Sequence, residues 1–327
     1  MKFSREEIEA AQRVVYAAMP PTPQYAWPQL STRLGCKLWA KHENHTPLGA
    51  FKVRGGLTYM DALAHRQPEV RHVISATRGN HGQSIGFAAA RHGRDATIVV
   101  PRCNSLEKNA AMRALGVHLI EHGDDFQAAR EHAAMLGIRD GLHRVPSFAR
   151  ELVVGVTTYW VEFFEALKRE GCVPDVIFIP IGLGSGFAGA AAARTHCNAR
   201  TRLVGVVSAH ATAYRDSFVA GRVVASPATT LLADGMACST PEPEALEVVR
   251  READDVIAVT DEEVADAMRA LFADTHNVAE GAGAASLAAA MQQREHWCGK
   301  SVGITVSGGN VDASVFADVL KRITAKP

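Results

Sequence analysis

From residue 71 onward, short apolar runs alternate with longer stretches in which apolar residues return every three or four positions. "HVISA" at 72–76 leads into a helix from about Asn80 to His92, "ATIVV" at 96–100 into one from about Ser105 to Leu115, and "HLIEH" at 118–122 into one from about Asp125 to Leu136. A second series opens with "DVIFIPI" at 175–181, passes through the helical "FAGAAAARTH" at 187–196 and the strand "RLVGVV" at 202–207, and closes with "SVGITVSGG" at 301–309. Apolar runs this continuous suit strands buried on both faces, and each strand–helix repeat is a parallel βα unit. The pattern predicts two open parallel-sheet α/β domains. Right-handed crossovers then place ligands at the carboxyl ends of the strands, where loops enter helices. Nearer the N-terminus, "KLWAK" at 37–41 reads as a strand, and helical spacing resumes at Phe51, Leu57, Met60 and Leu63, so Lys52 stands where a loop enters a helix.

Composition narrows the possible partners. Lys plus Arg and Asp plus Glu both total 35 in 327 residues, so no net charge attracts nucleic acid or an anionic membrane. The cysteines at 36, 103, 172, 197, 238 and 298 form no CxxC pair, which argues against a zinc ribbon or a disulfide framework and fits a reducing cytoplasm. The N-terminus mixes charge with apolar residues, unlike a signal peptide, and no later stretch reaches about 18 uncharged apolar residues. A cytoplasmic protein with no membrane partner is expected.

Three stretches carry chemistry besides Lys52. "PIGLGSGFAGAAAA" at 180–193 follows a strand and opens a helix, so the amides around Gly182, Gly184 and Gly186 can cradle a phosphate. The same residues contain a GxGxxG, which keeps a nicotinamide-binding enzyme as a rival. A dinucleotide site wants an acid about 20 positions on, at the end of the next strand, and here "RLVGVVS" has none. "SATRGNHGQS" at 75–84 places Thr77, Asn80 and His81 at a helix start, either to hold a carboxylate or merely to cap the helix. "TVSGGNVD" at 305–312 sets Ser307 and two glycines after the last strand.

Together these stretches resemble the fold-type II pyridoxal-phosphate enzymes, tryptophan synthase β-like in fold, and within them the threonine and serine dehydratases and serine racemases. The resemblance covers nearly the whole chain. "GAFKVRGG" resembles the family's lysine segment, "RGNHGQS" its substrate loop, "GLGSG" its phosphate loop and "SGGN" its C-terminal motif, with "LLADGMA" at 231–237 and "EGAGA" at 280–284 in the family's order.

The resemblance implies pyridoxal 5'-phosphate in a cleft between a larger domain, residues 1–54 with 147–327, and a smaller one, 55–146. It makes Lys52 the catalytic Schiff-base lysine, with Phe51 beside the ring. Asn80 would meet the 3-hydroxyl, Gly182, Leu183, Gly184, Ser185 and Gly186 the phosphate, and Ser307 the ring nitrogen. Glu280 is expected near the ring, or else as a helix cap. Thr77, Arg78, Gly79, Asn80 and His81 would form the substrate loop.

The implied reaction is dehydration and deamination of a β-hydroxy amino acid such as serine, threonine, 3-hydroxyaspartate or 3-phenylserine to a 2-keto acid and ammonia, by a homodimer. A hydroxyl such as Ser307 cannot keep the ring nitrogen protonated, which favours β-elimination. A racemase or a β-replacement synthase remains the alternative within the family, and a nicotinamide oxidoreductase outside it.

Two positions depart from the family. Arg78 stands where serine racemases carry serine, and its guanidinium either meets a second carboxylate on the substrate or turns to solvent or to an acid between the domains. Val207 and Ser208 follow the strand after which ion-activated relatives carry a carboxylate, so no metal site is expected there.

Overall fold

The computed structural model describes residues 1–321. The chain begins α1 (Arg5–Tyr16), β1 (Gln24–Ala26), α2 (Pro28–Leu34), β2 (Lys37–His42) and α3 (Lys52–Arg66). It continues β3 (His72–Ala76), α4 (Asn80–Arg91), β4 (Asp95–Val100), α5 (Leu106–Ala114), β5 (His118–Glu121), α6 (Phe126–Arg139) and β6 (His143–Arg144). Then come α7 (Arg150–Arg169), β7 (Val176–Pro180), α8 (Ser185–His196), β8 (Arg202–Ser208), α9 (Ala213–Ala220), α10 (Pro243–Glu252) and β9 (Asp255–Val259). The described chain ends with α11 (Asp261–Thr275), α12 (Gly281–Gln292), β10 (Ser301–Val306) and α13 (Ala313–Lys321).

The strands form two sheets, as the apolar runs predict. One has the order β1-β2-β10-β7-β8-β9 and is parallel except for its edge strand β1, and the other is β5-β4-β3-β6, all parallel. Side chains alternate across the larger sheet with period two. Val176 and Phe178 enter a core with residues of α2, α11 and α12, while Ile177 and Ile179 enter a second core with Trp160, Phe163 and Phe187 of α7 and α8. Each such fully buried side chain contributes about 1.5–3 kcal/mol. A third core packs α3 and α4 against the smaller sheet and takes in Val15 of α1 and Leu152 of α7.

Helix boundaries follow local signals. Ser105 caps α5 by accepting from the Lys108 amide, and Asp125 caps α6 by accepting from that of Ala128. The sequence pattern passed over α7, which is buried on nearly all sides, and also over the short β1, β6 and β9.

The strand ends determine where the functional segments meet. β10 inserts between β2 and β7, pairing Val306 with His42 and Val302 with Val176. Just beyond, Phe51 N donates to Ser307 O at 3.0 Å and Gly309 N to Gly49 O at 2.8 Å, around a lone bridge between Ala50 and Gly308. The segment that leads into Lys52 is thereby bound to the exit of the last strand.

Candidate active site

Every cofactor- or substrate-binding candidate from the sequence lines one cavity of about 730 Å³ between the two sheets, within the range of small-ligand sites. Phe51, Lys52, Gly182, Leu183, Gly184, Ser185, Gly186, Glu280 and Ser307 line it from the larger sheet's side, and Thr77, Arg78, Gly79, Asn80 and His81 from the smaller one's.

Lys52 is the first residue of α3, and its Nζ donates to Ser185 Oγ at 3.2 Å and lies 5.1 Å from the centre of the Phe51 ring. No carboxylate pairs with it among the described residues. Burial therefore brings its amine down to about 8, which leaves a usable fraction neutral near physiological pH. Two residues on, Arg54 is fully buried and paired: Nε donates to Glu43 at 2.7 Å and one terminal nitrogen to Glu162 at 2.6 Å. Lys41 meets Glu162 at 2.6 Å as well. This cluster joins β2, α3 and α7 beneath the site and holds the first turn of α3 in place.

The glycine loop is packed too closely against its neighbours to carry side chains at Gly182 and Gly184. Gly184 adopts φ +94°, and a Cβ there would meet Ala245 at 2.6 Å, while a Cβ on Gly182 would stand 2.3 Å from the carbonyl of Gly235. Tyr214 donates to Leu183 O at 3.0 Å and holds the loop from behind.

Helices α3, α4, α8 and α12 all begin at this cavity, and none has a side-chain cap. Their free amides and dipoles favour anions, as a phosphate plus a carboxylate would require. The residues present therefore fit pyridoxal phosphate: an uncapped glycine loop for the phosphate, a neutralisable lysine for the aldehyde, and polar side chains between them.

The capping alternatives fail on geometry. Thr77 Oγ1 accepts from Gly79 N at 3.0 Å, two residues on, in a turn that precedes α4. Asn80 donates to Glu280 Oε1 at 2.6 Å and accepts from Asn310 at 2.8 Å. Glu280 occupies the N-cap position of α12 but turns its side chain to Asn80 instead. Ser307 donates only a long 3.3 Å bond to Ala282 O. His81 is buried with its Nε2 unpartnered, and burial, with Lys52's charge, holds it down near 3, so it is neutral.

Sequence reasoning missed Lys108, on α5. Its Nζ stands 2.7 Å from Asp234 and 3.2 Å from Glu280, connecting the two sides of the cavity. Burial opposes its charge, but the two acids outweigh that and hold it above the ordinary lysine value, whereas burial raises the Glu280 carboxyl. One signal was available: a cation in a first helical turn faces the wrong end of the dipole and needs an acidic partner. Lys108 also explains Gly79, where a Cβ would meet the lysine side chain at 2.4 Å.

At the end of β8, Val207 and Ser208 are buried, and among the described residues no group of three or more His, Cys, Asp or Glu side chains is placed to hold a metal ion. Asp216 bonds Thr212 and Asp234 bonds Lys108, so both acids are committed to protein partners.

A family model for pyridoxal-phosphate dependent enzymes matches residues 15–308. The L-threonine ammonia-lyase of Thermotoga maritima is 32% identical over 97% of this chain and 78% of its own. Among solved structures, the processed form of threonine deaminase isoform 2 from Solanum lycopersicum superposes with a TM-score of 0.88, at 27% identity over 98% of this chain and 89% of that one. Maize serine racemase gives 0.87 at 26% identity, over 99% and 98%.

Proposed function

Since the chain belongs to the family of pyridoxal-phosphate dependent enzymes, we propose that it is an ammonia-lyase that converts a β-hydroxy amino acid to a 2-keto acid and ammonia. The observation that carries this is Lys52, a buried amine without a counter-charge at the head of a helix, next to an uncapped glycine loop. The threonine ammonia-lyase relative supports the reaction class.

When bound, pyridoxal phosphate would supply an electron sink for the pair left on Cα after its proton departs. The glycine loop from Gly182 to Gly186, with Leu183 and Ser185 in it, would hold the phosphate, Asn80 the 3-hydroxyl and Ser307 the ring nitrogen, with Glu280 near the ring. Lys52 would hold the aldehyde and, once displaced by substrate, take the Cα proton on Nζ, which its lowered pKa permits. Thr77, Gly79, Asn80 and His81 would orient the substrate α-carboxylate at the uncapped start of α4. A neutral hydroxyl at Ser307 leaves the sink modest, which favours prompt departure of the β-hydroxyl.

In this account residues 1–54 with those from 147 onward form the larger domain and 55–146 the smaller. A homodimer in the cytoplasm is the matching assembly and setting. The cysteines are unpaired, and among the described residues no helix is long and apolar enough to cross a membrane.

The test is release of 2-keto acid and ammonia, in equal amounts, from serine, threonine, 3-hydroxyaspartate and 3-phenylserine by protein loaded with pyridoxal phosphate and no added nucleophile. Loss of optical rotation without keto acid would replace this function with racemisation.

A further inference from the structure

Beside the substrate loop the cavity is lined by a guanidinium that no carboxylate of the described residues meets. Arg78 lines it directly before the Gly79–His81 turn, its Nε is buried, and no acceptor meets that atom among the described residues. Arg78 as a whole is half-buried, and the buried arginines differ from it: Arg54 is paired with Glu43 and Glu162, and Arg94 donates to the carbonyls of Val70 and Gln67. The acids lining the cavity do not serve Arg78. Asp234 and Glu280 share Lys108, and the amide of Glu242 bonds Tyr214, which places that residue beside the glycine loop. Arg130 of α6 stands at the exposed rim of the same cavity and pairs with no carboxylate among the described residues. Two arginines thus face a space where the glycine loop and the start of α4 already account for a phosphate and an α-carboxylate.

We propose that Arg78, assisted by Arg130, binds a second carboxylate carried on the β-carbon of the substrate, so that the preferred substrate is a 2-amino-3-hydroxy dicarboxylic acid; this rests on the ammonia-lyase function above. A β-hydroxy substrate has one further β-substituent to accommodate. A methyl or phenyl group against Arg78 would leave its guanidinium without a counter-charge, whereas a carboxylate meets the planar fork with two parallel bonds. The chemistry needs no co-reactant. The Cα–H and Cβ–O bonds break, hydroxide and the proton leave as water, and water then hydrolyses the released enamine, after tautomerisation, to a 2-keto dicarboxylic acid and ammonia, with no net oxidation.

The experiment compares kcat/KM for 3-hydroxyaspartate stereoisomers with that for threonine in the loaded enzyme and its Arg78→Gln, Arg78→Lys and Arg130→Gln variants. The wild-type ratio should exceed about 100; Arg78→Gln should lower it at least about 30-fold, chiefly through KM, Arg78→Lys should restore part of it, and Arg130→Gln should lower it about 3- to 10-fold. Calorimetric binding gives a readout independent of turnover: succinate should lose at least about tenfold in affinity in Arg78→Gln, and butyrate less than about threefold. If threonine is the better substrate, or the ratio and succinate binding ignore Arg78, the inference falls while the ammonia-lyase function stands. If no hydroxy amino acid yields keto acid, the ammonia-lyase function falls and this inference with it.

Discussion

Lys52 Nζ and Ser185 Oγ meet at 3.2 Å, each side chain on the first residue of a helix, so two helix N-termini converge on a single buried amine. Both dipoles and the burial act against a proton there, and the same arrangement that welcomes a phosphate loosens the proton of the lysine beside it.

Formation of the coloured holoenzyme from apoprotein should therefore speed up with pH only until about 8, where Lys52 becomes mostly neutral, and not continue toward the ordinary 10.5. Stopped-flow absorbance across pH checks this. Borohydride should fix the cofactor to the peptide containing Lys52, and Lys52→Ala should bind it without turnover. Full activity in that variant would remove Lys52 from the mechanism.

Gly182→Ala sets a methyl against the Gly235 carbonyl, and Gly184→Ala forces a side chain into positive φ against Ala245. Each should cost about 1–3 kcal/mol of stability and weaken cofactor binding at least about tenfold. Urea unfolding and titration of apoprotein with pyridoxal phosphate separate the two effects.

Lys108→Met leaves Asp234 and Glu280 facing each other without a cation, and should cost about 3 kcal/mol. Glu280 already has its carboxyl raised by burial, so the folded chain keeps a proton that the unfolded chain has lost above its ordinary 4.5, and this group's contribution to stability declines as pH rises through that range. The variant should steepen and widen that decline, and adding Glu280→Gln should largely remove it. Urea midpoints between pH 5 and 8 provide the measurement.

Glu162→Ala strips carboxylate partners from both Arg54 and Lys41 beneath the site, and should cost about 3–5 kcal/mol. A change under 1 kcal/mol by urea titration would mean that water replaces the lost acid.

The sites that were legible in sequence are those whose chemistry is local. The loops around Lys52, Asn80 and Gly184 each combine a strand end, a turn and a helix start within about ten residues, so backbone geometry and chemistry coincide in one stretch. Lys108 and Asp234 are 126 residues apart, and their pairing follows only from the packing of α5 against the larger sheet's side. For the same reason the sequence leaves open whether Thr77, Asn80 and Glu280 cap helices, and in the fold neither α4 nor α12 has a side-chain cap. The helix α7 is buried on nearly all sides, Glu162 included, through its packing against α1, α3 and α8, which are distant in the chain.

The position of β10 also bears on how the protein is made. Lys52 leaves the ribosome well before β10, which fills the slot between β2 and β7, and before Ser307, whose carbonyl anchors Phe51. Until Ser301–Val306 has emerged, β2 and β7 have no common neighbour and the lysine segment lacks its anchor. Capture of the cofactor thus belongs after the synthesis of β10, and a nascent chain halted before Ser301 should carry every glycine from Gly182 to Gly186 and yet remain colourless.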